Sequence, residues 1–306
     1  MRAQRNWDKL KCALIVRTHN QIHMKQILTL TDFSAIAEGA VEAAFIYAKQ
    51  FGAELTIYHN SVDGDLIMFE LIGDPEIEHF TLNNQIKTAP IDKWKQLARK
   101  HNVTARYLTG SADFIKKIFD ITAILEIDLI VMGSAGAGGR KEIIWGSNTE
   151  KVVKHVDIPV LVIKKPIKKY RLDNIVFASA FDTSDREVLT YALKLLKPPS
   201  SATIHLLSID TSSFFTQPMA LMKTAMKEFE SLVEPYNVKS HFYKDYSIDA
   251  GIRHFMEDQN ADLLIMSNRN EKPIKRLLSG NSTIKAINHS EFPVLSIDFR
   301  HAKEQD

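Results

Sequence analysis

Short apolar runs recur along the chain, each followed by a stretch in which apolar residues return every three or four positions. Met24-Lys25-Gln26-Ile27-Leu28-Thr29-Leu30 reads as a strand, and Ala37, Ala40, Val41, Ala44, Tyr47, Ala48 and Phe51 line one face of the helix that follows, with Gly52 as its stop. Asp128-Leu129-Ile130-Val131-Met132 has the length and composition of a buried strand, and residues 148–156 carry a helical pattern after it. Strands alternating with helices predict an α/β fold built on a parallel sheet.

The pattern then repeats. Asn174-Ile175-Val176-Phe177-Ala178 matches the first strand, Asp262-Leu263-Leu264-Ile265-Met266 matches 128–132, and Phe292-Pro293-Val294-Leu295-Ser296-Ile297 matches Ile158-Pro159-Val160-Leu161-Val162-Ile163. Asp-x-Ser follows the opening strand in both halves, with Asp182 standing 150 positions after Asp32. A length of 306 residues with 45% apolar content suits two domains with real cores. The chain reads as a tandem pair of one fold.

The chemistry concentrates after Met132. Gly133-Ser134-Ala135-Gly136, nine further residues and Gly146-Ser147 fill a strand-to-helix turn, where glycines let a backbone approach a ligand or simply shape a loop. Ser147-Asn148-Thr149-Glu150 fits a capping box, and the free N–H groups of a first helical turn favour an anion. This is no Walker A loop, because no Gly-Lys-Ser/Thr follows.

Strand, Asp-x-Ser, alanine-rich helix and Gly-x2-Gly-x9-Gly-Ser together resemble the universal stress protein family over residues 24–163. The resemblance implies a five-stranded parallel sheet of order 3-2-1-4-5 with helices on both faces, a Rossmann-like arrangement in which many members bind ATP at the switch point. It implies that Leu30, Thr31 and Asp32 border adenine and ribose, that Met132 and Gly133 end the adjoining strand, and that Gly136, Gly146, Ser147, Asn148 and Thr149 hold ribose and phosphates. ATP, with or without Mg, is the expected ligand. Asp32 has the alternative duty of capping the following helix, and His59, at the end of the second strand, either contacts the base or packs beside it.

The second copy departs at the same spacing, with Ser267, Asn270, Gly280 and Asn281 in place of Gly133, Gly136, Gly146 and Ser147. Weak or absent triphosphate binding is expected there, leaving a structural partner for the first copy. The resemblance also implies that 159–163 pairs with 293–297 across a pseudo-two-fold axis. The expected divisions are an extension at 1–23, read as disordered, domains at 24–165 and 173–300, and a linker at 166–172. Lys164-Lys165-Pro166-Ile167-Lys168-Lys169-Tyr170-Arg171 is basic, yet the net charge is only +2 and no basic aromatic face accompanies it, so a solvated linker is expected rather than nucleic-acid binding.

Residues 65–72 and 214–219 are apolar segments after each second strand, readable as a lid, a partner surface or plain cover for the sheet. Leu10 to Val16 is too short and too charged for a membrane span or a signal sequence. Cys12 is the single cysteine, which excludes internal disulfides and fits a cytoplasmic protein. His19 and His23, four apart, and the scattered His155 and His205 form no metal cluster. The leading expectation is a nucleotide-binding stress or regulatory protein acting on an unidentified protein partner, an intramolecular pseudo-dimer able to pair further. A slow Mg-dependent ATPase or nucleotide-modifying enzyme using Asp32, and a nucleotide-free scaffold, remain the alternatives.

Overall fold

The computed structural model describes residues 24–61, 67–74, 90–110, 113–134, 147–165, 171–211, 219–268 and 292–298, together with 300 and 302. These fall into two compact units, one reaching Gly133 and the other formed by 134–165 and the residues from 171 onward.

The first unit contains β1 (Gln26–Leu30), α1 (Ala35–Phe51), β2 (Glu54–Asn60), β3 (Ile67–Glu70), α2 (Ile91–His101), β4 (Ala105–Gly110), α3 (Phe114–Ile124) and β5 (Leu129–Gly133). Its strands lie in the order β3-β4-β2-β1-β5. All pairs are parallel except β3, which runs antiparallel on β4 with Ile67 opposite Thr109 and Glu70 opposite Arg106. Within the apolar segment after the second strand, Ile67–Glu70 is a strand beside β4, pinned by Arg106 Nε donating to Glu70 Oε1 at 2.7 Å.

The core forms where the apolar runs lie. Ile27, Leu28, Leu55, Ile57, Ile130 and Val131 are fully buried, as expected of strands covered on both faces. The alanines of α1 are buried too, and their small size lets the helix backbone come close to the sheet. Gly52 ends α1 at φ +65, with its N–H donating to the Ala48 and Lys49 carbonyls, so the C-terminal signal in the sequence has the left-handed geometry it needs.

The second unit contains α4 (Ser147–His155), β6 (Val160–Ile163), β7 (Asn174–Ala178), α5 (Ser184–Leu196), β8 (Thr203–Asp210), α6 (Met219–Glu230), β9 (Asn237–Lys244), α7 (Ile248–Asp258), β10 (Leu263–Asn268) and β11 (Val294–Asp298). Its strands lie in the order β6-β11-β10-β7-β8-β9, parallel apart from β6. β6 runs antiparallel to β11, with Val162 opposite Val294 and Val160 opposite Ser296, so the closing strands of the two sequence repeats pair directly.

Equivalent bonds fix how the repeats align. Asp128 Oδ2 accepts from the N–H groups of Lys25 and Gln26, and Asp262 Oδ2 accepts from those of Asp173 and Asn174. Ile27 thus corresponds to Ile175. Carried five residues further, this register puts Ala180 in the place of Asp32, and seven residues further it puts Asp182 in the place of Ser34. The repeated Asp-x-Ser is a coincidence of spacing, displaced by two residues. The basic linker also needs correction at its start: Lys164 is only 5% exposed rather than solvated.

Candidate functional site

β1 lies between β2 and β5, and the chain leaves it in both directions, so the carboxyl ends of β1 and β5 flank the topological switch point of the first unit. Leu30 and Met132 face each other in register there, both buried. Thr31-Asp32-Phe33-Ser34 then carries the chain into α1, and its polar side chains shape that turn. The Thr31 hydroxyl accepts from the Phe33 N–H at 3.0 Å and donates to Glu38 Oε1 at 3.3 Å. Asp32 Oδ1 accepts from the Ser34 N–H at 3.0 Å, and Ser34 Oγ caps α1 by accepting from the Ala37 N–H at 3.3 Å. Ser34, not Asp32, is therefore the helix cap.

Phe33 sits at φ +64, a left-handed conformation that disfavours a side chain. Its ring is held against His59, with centroids 4.2 Å apart, and lies 6.1 Å from Trp94. Glu38 gathers the surroundings: it accepts from Trp94 Nε1 at 3.1 Å and pairs with Lys93 at 3.5 Å besides its bond from Thr31. This hub has no signature in the sequence, because Glu38 and Trp94 are 56 positions apart and neither belongs to a motif. Phe33 is equally invisible beforehand.

Asp32 is exposed. Partial burial pushes its pKa up, but the hydrogen bonds from Ser34 and the neighbouring His59 outweigh this and hold it below the usual carboxylate value. The group is thus an exposed, charged acceptor at the switch point. His59 Nδ1 lies 2.9 Å from the Thr31 carbonyl oxygen. A carbonyl only accepts, so Nδ1 carries a proton directed at it, and Nε2 is the other ring nitrogen. His59 thus packs against the turn while keeping one nitrogen available.

Gly133 has a different reason for being glycine from the one its motif suggests. A Cβ there would stand 2.8 Å from the Ile36 carbonyl oxygen and 3.0 Å from Ala37 Cα. Backbone cannot swing aside as a flexible side chain does, so the bare Cα is what allows α1 to lie on β5.

The structure therefore brings Leu30, Thr31, Asp32, His59, Met132 and Gly133 to one end of the first unit. Ser147, Asn148 and Thr149 open α4 in the second unit, with Asn148 exposed and Thr149 buried. Gly136 and Gly146, like Asn270, Gly280 and Asn281, lie outside the described residues. Ser134 follows Gly133, accepts from Lys164 Nζ at 3.2 Å, and donates its N–H to the Ile163 carbonyl at 3.0 Å. Burial brings the Lys164 pKa down to about 8.

The second copy keeps the turn and loses the chemistry. Ser179 Oγ accepts from the Phe181 N–H and donates to Asp185 Oδ2, each at 2.6 Å, and Phe181 repeats the left-handed backbone at φ +58. Yet Ala180 replaces Asp32, Ser208 replaces His59 and Ser267 replaces Gly133, by the strand registers. Asn268, in the place of Ser134, is buried and donates to the Val153 carbonyl of α4 at 2.5 Å. Among the described residues no group of three or more His, Cys, Asp or Glu is placed to hold a metal, and no helix is long and apolar enough to cross a membrane.

Known proteins share this architecture. The sequence profile of the universal stress protein family matches residues 23–164 and again 171–297. Universal stress protein MJ0531 of Methanocaldococcus jannaschii is 29% identical over 155 residues, which cover 51% of this chain and 90% of that protein. MJ0577 of the same organism is 30% identical over 159 residues, covering 46% of this chain and 95% of its own. The crystal structure of a universal stress protein from Archaeoglobus fulgidus superposes with a TM-score of 0.69 at 20% identity, covering 91% of this chain and all of that one. A Pseudomonas aeruginosa structure gives 0.61 at 16% identity, covering 92% and 95%. At these identities the structural likeness is one of fold. Two consecutive profile matches that together span most of the chain establish more: it belongs to the universal stress protein family, as a tandem pair of that family's domains.

Proposed function

We propose that this protein is an adenine-nucleotide-binding regulator of a stress response, in which ATP, with or without Mg, occupies the switch point of the first unit and the second copy serves as its structural partner. The observation that carries this reading is the difference between two otherwise matching turns. Both hold a strained phenylalanine on a hydroxyl anchor, but only the first presents an exposed carboxylate, Asp32, beside a histidine with an available ring nitrogen. An acceptor-only group suits a ribose diol or an exocyclic amine, and the buried Leu30 and Met132 supply an apolar floor. The motif adds Gly136, Gly146, Ser147, Asn148 and Thr149 for the phosphates at the level of sequence. A cytoplasmic location follows from the same reading.

The test is to denature freshly purified protein and quantify released nucleotides by chromatography with mass detection, comparing wild type with Asp32→Ala. Asp32 is exposed, so this variant leaves the core intact, whereas a larger residue at Gly133 would disturb α1 directly. About one nucleotide per chain, lost in the variant, is the expected result under one-site binding. No bound nucleotide and no uptake on titration would refute the reading in favour of a scaffold. Mg-dependent product formation abolished in Asp32→Ala would make the protein an enzyme.

A further inference from the structure

The outer edges of the two units are finished differently. In the first, β3 covers β4. In the second, β9 has eight residues and pairs only with β8 among the described residues. The chain between β2 and α2 is long enough to hold β3, while that between Asp210 and Met219 is far shorter.

The direction of the open bonds can be read from the strand ends. Asn237 N–H donates to the Ala202 carbonyl and Asp245 N–H to that of Asp210. In a parallel ladder alternate residues face alternate sides, so Val238, Ser240, Phe242 and Lys244 direct their N–H and C=O groups outward. Their side chains share the α6 face, where Ser240 Oγ donates to Glu230. The large apolar side chains left exposed are concentrated around this edge: Phe242 at 37%, Tyr246 at 77% and Ile248 at 39%, with Met219 and Leu221 on α6, against only Ile72 and Phe119 elsewhere among the described residues.

We propose that β9 is a homodimerisation edge, taking the β9 of a second copy of this chain in antiparallel register about a two-fold axis at Phe242. The edge is self-complementary in that register. Phe242 meets its own copy, Val238 meets Tyr246, and Lys239 meets Asp245, whose carboxylate already accepts from His254. Lys244 falls opposite Ser240. Moving the axis to Ser240 sets Lys239 against His241, and moving it to His241 sets Val238 against Lys244, so the lysines that normally guard an edge select one alignment here. The axis stands perpendicular to the sheet, which keeps the α6 faces on the same side and brings Met219 and Leu221 of one copy toward those of the other.

Sedimentation and engineered crosslinking test this on the full chain. Wild type is expected at twice the chain mass, and Phe242→Lys is expected to weaken association by about tenfold or more, as loss of a central aromatic contact does. In a Cys12→Ser background, Phe242→Cys is expected to form a disulfide dimer on mild oxidation, because residues opposite each other in a hydrogen-bonded antiparallel pair are about 5.5 Å apart at Cα. Ser240→Cys is expected not to crosslink, since the axis leaves the two copies of residue 240 about 13 Å apart. A chain that stays single at the highest concentration reached overturns the proposal. So does a dimer that survives Phe242→Lys, or one in which Ser240→Cys crosslinks faster than Phe242→Cys.

Discussion

Acid should loosen the second unit before the first, and His205 sets the size of the effect. The side chain is 1% exposed on β8, with Nδ1 3.1 Å from His241 Nε2 and Nε2 3.4 Å from Asn174 Oδ1. The Phe255 ring closes over both imidazoles, at 5.8 Å from His205 and 4.7 Å from His241. Burial, then the neighbouring His241 and Lys239, depress the His205 pKa from 6.5 to about 4. His241 is depressed as well, by burial and by Lys239. A folded pKa below the unfolded one means that the native state binds the proton less readily. The stability this contributes is complete above pH 6.5 and is lost as the pH falls toward 4. For His205 alone the linkage amounts to about 2.5 kcal/mol at pH 4.5, from 1.36 kcal/mol per pKa unit. The assay is urea unfolding at pH 7 and pH 4.5 of wild type and His205→Leu, followed by far-ultraviolet circular dichroism. The dichroism transition of wild type should move to lower urea at pH 4.5, and His205→Leu should lose about 2 kcal/mol less than wild type over that interval. Equal losses in the two proteins would refute the reasoning.

Two further substitutions probe the first unit. Gly133→Ala places a Cβ against the Ile36 backbone and should cost about 1 to 3 kcal/mol whether or not nucleotide is present, measured as a fall in thermal midpoint. Glu38→Ala removes the acceptor of the Trp94 indole N–H, which is fully buried, and should cost about 2 kcal/mol while shifting the tryptophan emission; an unchanged spectrum would count against the hub.

Much of the strand framework is legible in the sequence, because a parallel strand buried on both faces must be apolar throughout. Leu129 to Met132 and Leu263 to Met266 show this, and their likeness reveals the duplication. The small residues of α1 likewise announce a helix pressed onto a sheet. What is not legible depends on contacts between distant positions. Asp-x-Ser at Asp182 matches in letters, but the strand-capping bonds of Asp128 and Asp262 show that it sits two residues out of step. Ile67 to Glu70 looks like sheet cover because its apolar residues do not alternate with polar ones, and only its pairing with β4 identifies it as a strand. Lys164 follows an apolar strand and precedes a basic run, so nothing local separates it from the exposed Lys165 beside it. The exposed acid at Asp32 is visible in the motif. The phenylalanine, tryptophan and glutamate that hold its turn are not, since long-range packing leaves no fixed spacing to read.

The pairing of β6 with β11 bears on how this chain behaves when it is cut. Protease nicking after Lys165 would break the covalent path between the sequence repeats, but Val160 to Ile163 would stay zipped into the sheet of the carboxyl-terminal fragment, with α4 held by Asn268. The two pieces should therefore copurify as a noncovalent pair. A gene fragment that stops at the same point would be born with an uncovered apolar strand at its end, and its natural recourse is a second identical fragment. The repeat that is easiest to see in the gene is thus a poor unit to isolate, because its last strand finds its partner only in the other repeat.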